Sequence, residues 1–170
     1  FTGVAVGAAL TGLRPVVEYM FMDFITLAVD QIVNHAAKFR AVYGEQAKVP
    51  VVFRAAAGAG RSYGATHSQM LEGWFMHVPG IKVVMPSTPY DVKGLLKAAI
   101  RDDNPVIFLN HLALGGQRGE VPDEEYIIPL SKADIKRAGR DVTIVCAGLM
   151  VHHALKAATE LATQGIEAEV

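Results

Sequence analysis

KVVMPSTPYDVKGLLKAAIRDDNPVIFLN, residues 82–110, sets the fold class. Lys82–Met85 is a short apolar run that reads as a strand. Thr88 then stands where a helix needs a cap, Pro89 suits the first helical turn, and Asp91 can meet the exposed amides and the positive end of the helix dipole. Helical spacing continues to about Arg101, Asn104-Pro105 breaks it, and Val106–Asn110 follows as a second buried strand.

The same alternation extends in both directions. Upstream, Gly3–Leu13 has helical spacing that ends near Gly12, and Pro15–Met20 reads as a strand. Phe24–Tyr43 then reads as one long helix, apolar on almost every side and so expected to be buried on most faces. Val49–Phe53 has the continuous apolar character of a central parallel strand, Arg54–Thr66 reads as a glycine-bearing loop, and His67–His77 has helical spacing. Downstream, residues 126–139 read as a linker, after which a new unit begins with strand Val142–Cys146, helix Met150–Gln164 and an alternating pattern at 166–170. Short apolar runs alternating with helices give an α/β protein built on a parallel sheet.

Composition bounds the function. Sixteen Lys and Arg against 17 Asp and Glu give a formal charge of −1, so neither nucleic acid nor an anionic membrane is an expected partner. No apolar run approaches the ~20 residues that span a bilayer. Hydrophobic residues make up 51% and charged ones 19%, against about 45–50% and 25% in ordinary soluble domains, which favours burial against a partner. The single cysteine, Cys146, excludes an internal disulfide and a Cys-rich zinc site and fits a reducing compartment. The chain opens at Phe1 without a basic leader and closes inside a strand pattern, and it reads as a piece of something longer.

Few residues carry chemistry. Gly58, Gly60 and Gly64 lack the spacing of a dinucleotide or P-loop motif. His152 and His153 are adjacent on a helix and point to different faces, unlike a metal pair. Asp30 and Asn34 share a face and are expected to hydrogen-bond at a buried interface. His67 stands beyond the carboxyl end of the Val49–Phe53 strand, the edge where open α/β sheets place ligands, and Phe24 follows the preceding strand at the same edge. On pattern alone the candidate site is therefore Phe24 with His67.

Gly3-Val4-Ala5-Val6-Gly7, Gly12-Leu13-Arg14-Pro15, Asp30-Gln31-Ile32-Val33-Asn34, His67-Ser68-Gln69, His77-Val78-Pro79-Gly80 and Arg101-Asp102-Asp103-Asn104-Pro105 together resemble the beta subunit of thiamine-diphosphate-dependent 2-oxoacid dehydrogenases. The resemblance covers essentially the whole chain and includes pyruvate, branched-chain and acetoin types, with Pro86–Asp91 and Asp134–Gly139 nearest the acetoin type. It implies a transketolase-like pyrimidine-binding domain over residues 1–125 and the beginning of a transketolase C-terminal-type domain over 140–170.

By that resemblance Phe24 would stack on the aminopyrimidine ring of thiamine diphosphate, and His67 would face the reacting centre. Carbonyl oxygens of Val51, Ala99, Ile100 and Asp102, with Asn104, would surround a structural potassium ion. The diphosphate and its magnesium would lie on an alpha subunit, in an alpha2beta2 assembly that passes acyl groups to a lipoyl acyltransferase core. The glutamate that activates the cofactor would lie upstream of Phe1, so the 170 residues alone are expected to be inactive. The resemblance implies a bacterial cytoplasm or mitochondrial matrix, not secretion. One departure stands out: the family commonly has a glutamate after the Val106–Leu109 strand and a Tyr-Gly shortly beyond, where this chain reads Asn110-His111-Leu112-Ala113-Leu114-Gly115-Gly116. The rival expectation is a free-standing, non-catalytic homo-oligomer or binding module. A transketolase or 1-deoxyxylulose-5-phosphate synthase piece fits the His-Ser-Gln stretch less well.

Overall fold

The computed structural model describes residues 1–170. Four parallel strands form the main sheet: β1 (Val16–Tyr19), β2 (Val52–Ala57), β3 (Lys82–Val84) and β4 (Val106–His111), in the order β1-β2-β4-β3. Beside them are helices α1 (Thr2–Leu10), α2 (Phe39–Tyr43), α3 (Glu72–Met76) and α4 (Pro89–Arg101). A second, two-stranded parallel sheet pairs β5 (Val142–Thr143) with β6 (Ala168–Glu169), and α5 (Leu149–Ala162) connects them.

The strand period of two divides the core. Phe53, Ala55, Ile107 and Leu109 face one layer with Met22, Ile25, Ile32 and Phe75, whereas Val52, Val106 and Phe108 face Ala99 and the apolar side of α4. Phe53, Phe108 and Ile107 are each 0% exposed, so β2 and β4 are covered on both faces. The capping box expected at the start of α4 is present: Thr88 accepts from the Asp91 N–H at 3.1 Å, and Asp91 accepts from the Thr88 N–H at 3.0 Å.

Several elements differ from the expectations. The expected helix 24–43 is three pieces: a 3-10 helix over Met22–Ala28, a π-helical turn over Gln31–Ala36, then α2. Met22, Ile25 and Ala28 are buried at intervals of three, the 3-10 period, and the wide turn closed by Ala37 N–H to Ile32 C=O brings Ile32 and Ala36 onto the same core. Its outer side is not covered within this chain, since Leu27 is 90% and Val42 65% exposed. Asp30 and Asn34 do bond, at 2.8 Å, but on an exposed face.

Strand β2 starts at Val52 and takes in Arg54–Ala57, a stretch that reads as loop in the sequence. Pro50 offers no N–H to the ladder and Val49 donates to Asp103 C=O, so pairing begins only beyond them. Gly58, at φ 93°, ends the strand. The helical pattern from His67 shortens to α3 because the N–H groups of Gln69 and Leu71 are taken by side-chain acceptors, Asp23 and the Met22 sulfur. The strand expected over Val142–Cys146 is two residues long, with Ile144 still donating to Glu169 C=O. Residues 126–139 are held down rather than strung free: Tyr126 stacks on Tyr90 at 4.4 Å, and Lys136 pairs with the buried Asp91 at 2.9 Å.

Candidate active site

Parallel strands end at a common edge, and the connections leaving that edge are where side chains converge. The connection after β1 carries Phe21 and Phe24; the one after β2 carries Tyr63 and His67. The structure brings Phe24 and His67 together edge to face, with ring centroids 5.3 Å apart and planes at 88°. Phe21 sits 4.6 Å from the same imidazole and 5.8 Å from Tyr63. Thr66 Oγ1 lies 3.0 Å from His67 Nδ1, which leaves Nε2 available to a ligand.

Phe24 is 41% exposed and lines a cleft of about 410 Å³ with Tyr19, Met20, Leu27 and Ala28. A partly exposed aromatic ring at the wall of a largely apolar cleft, packed against an imidazole, fits a flat heteroaromatic ring and a proton-transfer step next to it. Two residues not foreseen from sequence hold this arrangement. Asp23, 6% exposed, accepts from Gln69 Nε2 at 2.8 Å, tying the Phe24 segment to the His67 segment.

A second cavity of about 490 Å³ lies along the same edge, lined by Arg54, Arg61, Lys93, Asn110 and His111, with Glu18 on both cavities. Arg54 pairs with Glu18 at 2.7 Å and donates from Nε and Nη2 to the Asn110 amide oxygen at 2.9 and 2.6 Å. Burial pushes the His111 imidazole below its ordinary pKa, opposed by the charge of Glu72.

The oxygens implied for a cation belong to Val51, just ahead of β2, and to the end of α4 and the turn that follows it. Val51 C=O accepts the Val106 N–H at 3.0 Å, and Ala99 C=O the Asp102 N–H at 3.3 Å. Arg14 Nη1 donates to both Ile100 and Asp102 C=O at 3.0 Å, while Nη2 pairs with Asp103 at 2.6 Å. Asn104 Oδ1 accepts from Arg40 at 2.8 Å. Each carbonyl keeps a second lone pair, and an oxygen-only set suits a hard monovalent ion. No three His, Cys, Asp or Glu side chains converge as a metal site elsewhere. Burial raises the Asp102 pKa, but hydrogen bonds from Lys82 and Asn104 outweigh it and hold the carboxyl below the usual range; Lys48 and Arg14 do the same for Asp103.

Comparison with known proteins gives the family. The chain is 57% identical over 170 residues to the acetoin:2,6-dichlorophenolindophenol oxidoreductase subunit beta of Cupriavidus necator, covering 100% of this chain and 50% of that one. It is 52% identical over 171 residues to the pyruvate dehydrogenase E1 component subunit beta of Rhizobium meliloti, covering 100% and 37%. Among solved structures, a split-gene transketolase described as an inactive beta4 tetramer matches with a TM-score of 0.78 and 27% identity, over 99% of this chain and 51% of that one. The chain thus spans about half the length, or less, of these relatives. The model of the transketolase pyrimidine-binding domain matches residues 1–115 and that of the transketolase C-terminal domain residues 131–170. The chain therefore belongs to the transketolase pyrimidine-binding-domain family, with the opening of the transketolase C-terminal domain following in the same chain.

Proposed function

We propose that these residues are part of a beta subunit which, with an alpha subunit, carries out thiamine-diphosphate-dependent decarboxylation of a 2-oxoacid or cleavage of acetoin, with acyl transfer to lipoamide. The observation that carries the reading is the partly exposed Phe24 ring packed against His67 at the sheet edge, in a chain 57% identical to an acetoin-type beta subunit.

Thiamine diphosphate, when bound, supplies a carbon nucleophile for the substrate carbonyl and an electron sink for the bond that breaks. This chain would supply surroundings. Phe24 offers its ring to the pyrimidine and, with Tyr19 and Leu27, excludes water from one side. His67, its Nδ1 occupied by Thr66, presents Nε2 to donate or accept a proton where charge develops on the substrate oxygen. The second lone pairs of the Val51, Ala99, Ile100 and Asp102 carbonyls, with Asn104, would take potassium and brace the end of α4.

Phe1, Met20 and Leu27, which share the cleft with Phe24, are 79, 73 and 90% exposed, apolar surface that the alpha subunit or a second beta copy would cover. The test is co-expression of the complete beta chain carrying these residues with its alpha partner, followed by assays on pyruvate, branched-chain 2-oxoacids and acetoin. Cofactor-dependent turnover of one of them supports the reading. An assembled complex inert on all of them, with the beta chain also forming a stable homo-oligomer by itself, would replace it by the non-catalytic alternative.

A further inference from the structure

We propose that Asp23 and Gln69 are a positioning pair that sets the angle between Phe24 and His67; the inference rests on the function proposed above and names what keeps its two rings in register. Asp23 immediately precedes Phe24, and Gln69 lies just beyond His67. One carboxylate oxygen, Asp23 Oδ1, accepts both Gln69 Nε2 at 2.8 Å and the Gln69 backbone N–H at 3.4 Å. Around this contact, Gln69 C=O accepts the Gly58 N–H at 3.3 Å, the Leu71 N–H reaches Met22 Sδ at 3.2 Å, and Thr26 Oγ1 donates to Asp23 C=O at 2.8 Å.

The chemistry of the contact argues for a directional role. Asp23 is 6% exposed, and none of the ion pairs of the structure includes it. Burying a carboxylate without a cation is costly, and two apolar side chains would join the segments without that cost. What apolar packing lacks is direction: a carboxylate receiving two N–H groups from one residue fixes both the separation and the rotation of the two segments. The edge-on meeting of His67 with Phe21 and Phe24, at 73° and 88°, depends on that rotation. Asp23 and Gln69 touch neither ring in this network, so they act through the residues they place.

The test uses the complete beta chain assembled with its alpha partner and two variants, Gln69→Glu and the swap that combines Asp23→Asn with Gln69→Glu. In Gln69→Glu two carboxylates share the contact and one titrates high: at low pH a shared proton restores the bond, and at high pH both ionise and repel. Turnover should then be near wild type at about pH 5.5 and fall roughly tenfold by about pH 8, in kcat with little change in KM. In the swap, the amide placed at position 23 donates to the carboxylate placed at position 69, and the wild-type pH profile should return to within about threefold. Hydrogen exchange gives a readout independent of activity. Residues 63–71 should exchange faster in Gln69→Glu at the higher pH only, while β2 and β4 stay protected. If the wild-type assembly shows no cofactor-dependent activity, the functional reading falls and exchange alone still decides the pair. A Gln69→Glu profile parallel to wild type with unchanged exchange, or a swap that rescues nothing, overturns the proposal.

Discussion

Phe24 and His67 meet with ring centroids 5.3 Å apart and planes at 88°, although they belong to connections leaving different strands. Parallel order makes this possible: β1 and β2 pair in register from Val16↔Val52 to Tyr19↔Ala55, so their following segments emerge side by side. The meeting sets an imidazole against an aromatic ring that lines a cleft.

The two rings should fail differently when removed. In the assembled enzyme, His67→Ala should lower kcat by about 10²–10⁴-fold, the usual contribution of a proton-transfer group, with a smaller change in cofactor affinity. Phe24→Ala should mainly weaken cofactor binding, several-fold to about tenfold for one lost stacking contact. Steady-state kinetics at varied thiamine diphosphate separates the two.

Arg14 should matter to stability more than its exposure implies. Its guanidinium ties two α4-end carbonyls and Asp103, and Arg14→Ala leaves those acceptors to water and should cost about 1–3 kcal/mol by denaturant titration. The carboxyls of Asp102 and Asp103 titrate below their ordinary values in the folded chain. A depressed carboxyl stabilises the folded state above its unfolded pKa, and that stability is lost as pH falls through about 4 and below. Asp103→Asn should flatten this acid limb. Replacing sodium by potassium should raise the melting temperature if the remaining lone pairs take the ion; equal melting in both removes potassium from the account.

Gly58 should tolerate no side chain. Its φ of 93° disfavours L-residues, and a Cβ there would run into the His111 imidazole. Gly58→Ala should cost about 2 kcal/mol or more, and a crystal structure of the variant should show His111 displaced. Wild-type stability in the variant would contradict the close packing of β2 against β4 at this point.

The fold class and the α4 start were legible because local chemistry decides them: Thr88, Pro89 and Asp91 make their cap from neighbours in sequence. The limits of β2 and α3 were not, because they turn on distant partners. Asp103 takes the Val49 N–H, and Asp23 and Met22 take those of Gln69 and Leu71. The Phe21–Ala36 segment misled for a related reason. Its apolar residues suit a helix, but the spacing of Met22, Ile25 and Ala28 against the sheet selects the tighter 3-10 form. Phe24 and His67 could be placed at one edge from strand order. The roles of Phe21, Gln69 and Arg14 could not be read from sequence, since an aromatic, an amide and a guanidinium acquire their roles only from what the fold sets opposite them.

In the proposed function this chain supplies the Phe24 wall of a shared thiamine diphosphate site. Calorimetric titration of the cofactor into the alpha subunit alone, into the assembled complex, and into the complex carrying Phe24→Ala tests it most directly. Binding should be tight only to the assembled complex, and Phe24→Ala should weaken it several-fold to about tenfold. Equal affinity in all three would contradict it.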